Sequence, residues 1–154
     1  MDSRYREHME KYTLGNIFIL GNRFQALLDR QLKEMGLTAK QWFALEVIRE
    51  VFSEPPTLNQ VAEVLGSSRQ NVKELVRKLE ARGYVATGPD LRDRRMLRLT
   101  LTGVCQELQE ERRRLDRMFL NQVFECFSDE EMHCLFEGLE RLSGFVQAGE
   151  SGGK

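Results

Sequence analysis

The chain has 154 residues, 41% of them hydrophobic and 31% charged, with a formal net charge of −1. That composition can bury the core of one compact domain and excludes an intrinsically disordered chain. No stretch approaches the roughly 20 apolar residues that span a bilayer, and the charged start, MDSRYREHMEK, lacks the apolar segment of a secretory signal, so a cytoplasmic protein with no membrane partner is expected.

In chain order, a long first helix is expected from about His8 to Met35, carrying Leu14, Ile17, Phe18, Phe24, Leu27, Leu28 and Leu32 and stopped by Gly36. Thr38 with Gln41 opens a second helix that runs to about Phe52. Thr57 with Gln60, after Pro55-Pro56, opens a third. Ser67 with Gln70 opens the fourth, and Ser128 with Glu131 the last. In each pair the hydroxyl can accept from an early backbone N–H while the longer side chain reaches back to the cap residue's own N–H.

The segment TLNQVAEVLGSSRQNVKELVRKLEARGYV carries apolar residues at helical spacing up to Leu65, then again at Val72, Leu75, Val76 and Leu79. Between the runs lies Gly66-Ser67-Ser68, a corner where glycine can take the backbone angles of a sharp helix-to-helix turn and small Ala62 allows close approach. The pattern predicts a helix-turn-helix. Gly83 ends the second of these helices, and a hairpin follows, with strands near Tyr84 to Thr87 and Met96 to Leu101 around a tip from Gly88 to Arg95. Leu97, Leu99 and Leu101 would share one face of the second strand.

Helices from about Thr102 to Phe127 and from Ser128 to about Gln147 complete the chain, with residues 149–154 expected to be a disordered tail. The fold class is therefore mainly α with a small β-hairpin wing: a winged helix-turn-helix over residues 37–103. Residues 1–36 and 104–148 form a helical region. These outer helices carry more apolar surface than one small domain hides, including Leu115, Met118, Phe119, Leu139 and Phe145, which points to a homodimer built from both ends of the chain.

Charge is partitioned along the chain. From Gly66 to Arg98 there are nine bases and four acids, a net +5, which leaves −6 on the remainder. A positive patch on an acidic body attracts double-stranded DNA to one face and repels it elsewhere. The start of the recognition helix would present Ser68, Arg69, Gln70, Asn71 and Lys73 to base edges, Arg suiting guanine and Gln or Asn suiting adenine; an ordinary solvated helix face is the alternative. Gln70 has a competing capping role. Arg77 and Lys78 suit phosphates or are plain surface charges. Arg92, Arg94 and Arg95 crowd the hairpin tip, where three bases repel one another unless an anion such as a narrow minor groove receives them. Asp93 is assigned a structural role there, as an acceptor orienting Arg95 or the turn.

LTAKQWFALEVI, LNQVAEVLGSSRQNVKELVRKLEARGYV and DLRDRRMLRLTLT, in that order, resemble the multiple-antibiotic-resistance regulator (MarR) family of transcription factors. The wing is the most specific part, with Asp93-Arg94-Arg95 followed by Leu101-Thr102; Gly103 comes directly after Thr102. The resemblance implies an obligate dimer on an inverted-repeat operator, usually a repressor released by a small molecule or an oxidant. It implies a small aromatic or phenolic effector, with Trp42 and Phe43 in the region that could line its cleft, although an aromatic pair at that spacing is more often core. Related peroxide sensors use a cysteine near the start of the chain, and none precedes Cys105 here.

The three cysteines, Cys105, Cys126 and Cys134, are odd in number and lack metal-type spacing, so buried or partly buried free thiols are expected, with no metal site and no disulfide framework. With two histidines, His8 and His133, no nucleophile elbow and no phosphate-cradling glycine loop, no catalytic residue and no cofactor is expected. Two other readings remain beside the sequence-specific regulator: a winged-helix module that grips an acidic protein through its wing, and an architectural DNA binder with little sequence preference.

Overall fold

The computed structural model describes residues 2–90, 93 and 95–151, the last two by backbone alone. The chain divides between Gln106 and Glu107 into two compact units. Among the described residues no helix is long and apolar enough to cross a membrane.

In the first unit, α1 (Ser3–Leu32) is capped by Asp2, whose carboxylate accepts from Arg4 N–H. It starts five residues before the expected His8, because Asp2 satisfies an early orphan donor. The turn Lys33–Met35 narrows to a 3₁₀ helix and ends at Gly36, φ 64°. Only Leu32 of α1 is fully buried; its aromatic and aliphatic residues from Tyr5 to Phe24 stand exposed. α2 (Ala39–Glu50) begins at a complete Thr38–Gln41 capping box, and α3 (Leu58–Val64) at a complete Thr57–Gln60 box. The carboxylate of Asp29 on α1 also accepts from Ala39 N–H at 2.6 Å, which ties the end of the first helix to the start of the second.

The corner between α3 and α4 (Arg69–Glu80) differs from expectation by one residue. Gly66 takes φ 55°, and Ser67 N–H donates back to Ala62 carbonyl at 2.9 Å, so Ser67 closes α3. Ser68 opens α4 instead, its hydroxyl accepting from Asn71 N–H at 3.2 Å. Gln70 is thereby relieved of the capping role assigned to it. A Cβ on Gly66 would meet nothing within 4 Å, so Gly66→Ala is expected to cost only the left-handed backbone penalty, about 1–2 kcal/mol. Calorimetry should show a modest drop in melting temperature; none at all would mean that the corner relaxes freely.

The hairpin pairs β1 (Val85–Pro89) with β2 (Leu97–Leu101) antiparallel, Val85 opposite Leu101 and Pro89 opposite Leu97. The ladder is longer than expected, because Gly88 and Pro89 pair rather than loop and Asp90 N–H donates to Met96 carbonyl. Of the three leucines expected on one face, Leu99 is fully buried, Leu101 is half-buried and Leu97 is exposed, since the outer end of the hairpin runs past the helices. A further pairing joins the hairpin to the α2–α3 connection: Leu99 N–H donates to Pro56 carbonyl, and Arg98 bridges Thr57. Leu45, Val61, Val72, Val76, Leu79, Val85 and Leu99 make the core of this unit.

α5 (Gly103–Phe124) leaves the hairpin under a cap from Thr102, whose hydroxyl accepts from Cys105 N–H and donates to Gly83 carbonyl. Cys105 is buried, and burial pushes its thiol up to about 11, with Glu46 adding to the rise and Arg49 opposing it. Thiolate is therefore scarce at ordinary pH. Iodoacetamide at about pH 8 is expected to spare Cys105 in the folded protein and to reach it only in denaturant; native-state alkylation there would show that the core opens.

In the second unit, α6 (Asp129–Ser151) starts at a capping box in which Ser128 N–H donates to the Glu131 carboxylate and Glu131 N–H to the Ser128 hydroxyl. The Ser128 N–H, and after it the Ser128 hydroxyl, hold the Glu131 carboxyl below its usual range by donating to it. The helix runs through Gly149 to Ser151, so the tail expected to be disordered from residue 149 is helical for three residues; Gly149 keeps helical rather than left-handed angles and does not act as a stop. Residues 152–154 lie outside the described residues. Cys126 and Cys134 are exposed, against the expectation of buried or partly buried thiols.

Candidate nucleic-acid interface

Helical spacing sorts α4 into two faces. Val72, Val76 and Leu79 are buried, which leaves Arg69, Gln70, Asn71, Lys73, Arg77 and Lys78 exposed on the outer side. Ser68 is exposed at the corner, its oxygen engaged as the cap while its O–H hydrogen stays available to donate. The helix thus offers a run of polar side chains at its N-terminal end, where unsatisfied backbone N–H groups add positive potential.

The bases are not equivalent. Arg69, Lys73 and Lys78 have no ion pair among the described residues, whereas Arg77 Nε lies 3.2 Å from Glu74 in an exposed pair of small energetic weight. Arg82 turns away from this surface: its Nη1 donates to Met35 carbonyl at 3.2 Å, against Gly36, where a Cβ would meet the guanidinium. Arg98 is also engaged internally, with Asp90 and with Pro55 carbonyl. The net +5 of this segment therefore overstates the charge free to meet phosphates, since two of the nine bases hold the fold together.

At the wing tip Arg95 is exposed. Its backbone N–H donates to Asp93 Oδ1 at 3.0 Å, and Met96 N–H donates to Asp93 carbonyl. Arg92 and Arg94 lie outside the described residues. Two participants escaped the reading by residue type: Asp90 and Arg98. Opposite charges eight residues apart across a hairpin were the only available signal for the Asp90–Arg98 pair.

An open cleft of about 650 Å³ lies between the start of α2 and one exposed flank of α4, lined by Phe43, Lys40, Leu75 and Lys78 among others and reaching Asn71. Phe43 is half exposed on its wall, whereas Trp42 is buried and not part of the lining. The two aromatic residues are neighbours in sequence but point to different environments, one to the cleft and one to the core. Among the described residues no three His, Cys, Asp or Glu side chains gather where they could hold a metal ion.

The sequence pattern of the MarR family matches residues 35–96. The transcriptional activatory protein BadR of Rhodopseudomonas palustris is 36% identical over 74 residues; the match covers 47% of this chain and 42% of BadR, less than half of that relative. A MarR protein from Peptoclostridium difficile is similar over 92% of both chains, with 25% identity and a TM-score of 0.82. The S. aureus MepR–DNA complex is similar in fold, with 18% identity and a TM-score of 0.74 over 84% of this chain and 93% of that one.

Proposed function

We propose that the chain is a MarR-family regulator, as the match of that family's pattern to residues 35–96 suggests: a sequence-specific DNA-binding protein, not an enzyme, acting as a homodimer on an inverted-repeat operator. The observation that carries the reading is the exposed face of α4, where Arg69, Gln70, Asn71 and Lys73 stand together at the open end of a helix held by its buried side. Side chains of this kind match base edges in a major groove, and an α-helix fits that groove. Lys78 and Arg77, one to two turns on, reach phosphates. Arg95, with Arg92 and Arg94, enters the adjacent minor groove. MepR, a protein of similar fold, is bound to DNA in its own structure.

Dimerisation is supported by the apolar side chains exposed on the outer helices, among them Phe18 on α1 and Phe136, Leu139 and Phe145 on α6. Two-fold symmetry would set two α4 helices about one DNA turn apart. Repression is the expected sign of regulation, with BadR, named as an activatory protein, marking the other. A small aromatic or phenolic effector would occupy the cleft against Phe43, with Trp42 supporting the wall from the core side.

The test is selection from a random DNA pool at about 150 mM salt, which suppresses purely electrostatic binding. An enriched inverted repeat with half-sites one turn apart is expected. Retention of DNA without a motif would indicate an architectural binder, and no retention would point to a protein partner of the wing.

A further inference from the structure

We propose that Asp90 and Arg98 are positioning residues for the wing: a continuous chain of hydrogen bonds from the α2–α3 connection through Arg98, Asp90 and Asp93 sets the backbone of Arg95 before DNA arrives. The chain begins at Pro55 carbonyl, which accepts from Arg98 Nη1 at 2.9 Å. Arg98 Nε donates to Asp90 Oδ2 at 2.5 Å. The other carboxylate oxygen, Asp90 Oδ1, accepts from Asp93 N–H at 2.9 Å, and Asp93 Oδ1 in turn accepts from Arg95 N–H at 3.0 Å. Each carboxylate uses one oxygen toward the tip, so the order of the links follows from the direction of donation.

The anchor lies outside the hairpin, in the connection between α2 and α3. Pro55 and Pro56 are constrained by their rings, and Leu99 N–H bonded to Pro56 carbonyl seats the same strand on the same connection. Asp90 is 8% exposed, and a carboxylate so placed needs its partner, because a buried charge left alone is costly. Arg98 is therefore committed to Asp90 and is not a phosphate contact, despite lying in the basic segment. A tip held in one conformation loses less freedom on binding, so its contacts yield more affinity than those of a loose loop.

The inference rests on the proposed insertion of Arg95 into DNA, and a double-mutant cycle separates the two. Wild type, Arg95→Ala, Asp90→Asn and the double variant are titrated against the selected operator, with melting temperatures measured in parallel. Arg95→Ala is expected to weaken the wild type by about tenfold, yet the double variant should bind within about twofold of Asp90→Asn alone, because a tip no longer held gains little from Arg95. Hydrogen exchange of the free protein should show the Arg95 amide losing protection in Asp90→Asn while the amides of α4 keep theirs. Additive losses, or unchanged protection of the Arg95 amide, overturn the positioning role; a lowered melting temperature with additive losses is what a merely structural pair would give. If Arg95→Ala leaves wild-type binding intact, the wing reading itself fails and the positioning role with it. Should Asp90→Asn not fold, Arg98→Lys, which keeps the charge but loses the two-pronged donor, goes through the same cycle.

Discussion

Arg69→Ala should weaken binding to the selected operator by about 1–3 kcal/mol, on the order of ten- to a hundredfold, and relax the preference at one base position. The side chain is that of the first residue of α4, exposed, with no ion pair among the described residues, so its removal breaks no salt bridge there. A cation at the positive end of a helix is mildly unfavourable in the free protein. The melting temperature should therefore stay constant or rise slightly while affinity falls. Titration against the operator and against scrambled DNA checks this: an equal loss on both would make Arg69 a phosphate contact, and no loss on either would remove it from the interface.

The opposite signature is expected of Leu79→Ala. Leu79 is fully buried in the last turn of α4, and its carbonyl accepts from both Arg82 and Tyr84 N–H groups at the point where the chain turns into β1. Truncating it removes transfer free energy and leaves a cavity, about 2–5 kcal/mol together. Set against a total stability of roughly 5–15 kcal/mol, this is a large fraction, and a drop in melting temperature of roughly 5–20 °C should follow. The measurement is calorimetry at fixed protein concentration, because dimerisation would couple stability to concentration. A variant that melts with the wild type would show that α4 does not pack through this residue. DNA binding should fall only in proportion to the unfolded fraction.

The Arg69 and Leu79 expectations divide α4 by face: loss of recognition without loss of stability on one side, loss of stability first on the other. Helical spacing in the sequence predicts that division, since Val72, Val76 and Leu79 recur at three- and four-residue intervals and the polar residues fill the remainder. The ends of helices are equally local. Thr38, Thr57 and Ser128 cap as their spacing to Gln41, Gln60 and Glu131 requires, and Gly36, Gly66 and Gly83 all take positive φ. Where two adjacent residues had the same chemistry, spacing misled. Ser67 and Ser68 can both cap, and the choice fell to Ser68 because the left-handed Gly66 directs Ser67 N–H back to Ala62.

What the sequence determined by itself is the order of helices and hairpin, the buried stripe of each short helix and most of the caps, because those depend on interactions within a few residues. Which charges are free and which are engaged was decided only by the tertiary structure. Arg82 and Arg98 carry the same guanidinium as Arg69, but one reaches Met35 carbonyl 47 residues away and the other reaches Pro55 carbonyl 43 residues away. Trp42 and Phe43 likewise part company only when α4 packs against α2 and encloses one flank of the cleft. A charge or a ring is assigned its role by what lies within a few ångströms in space, and residue type and spacing along the chain do not contain that distance.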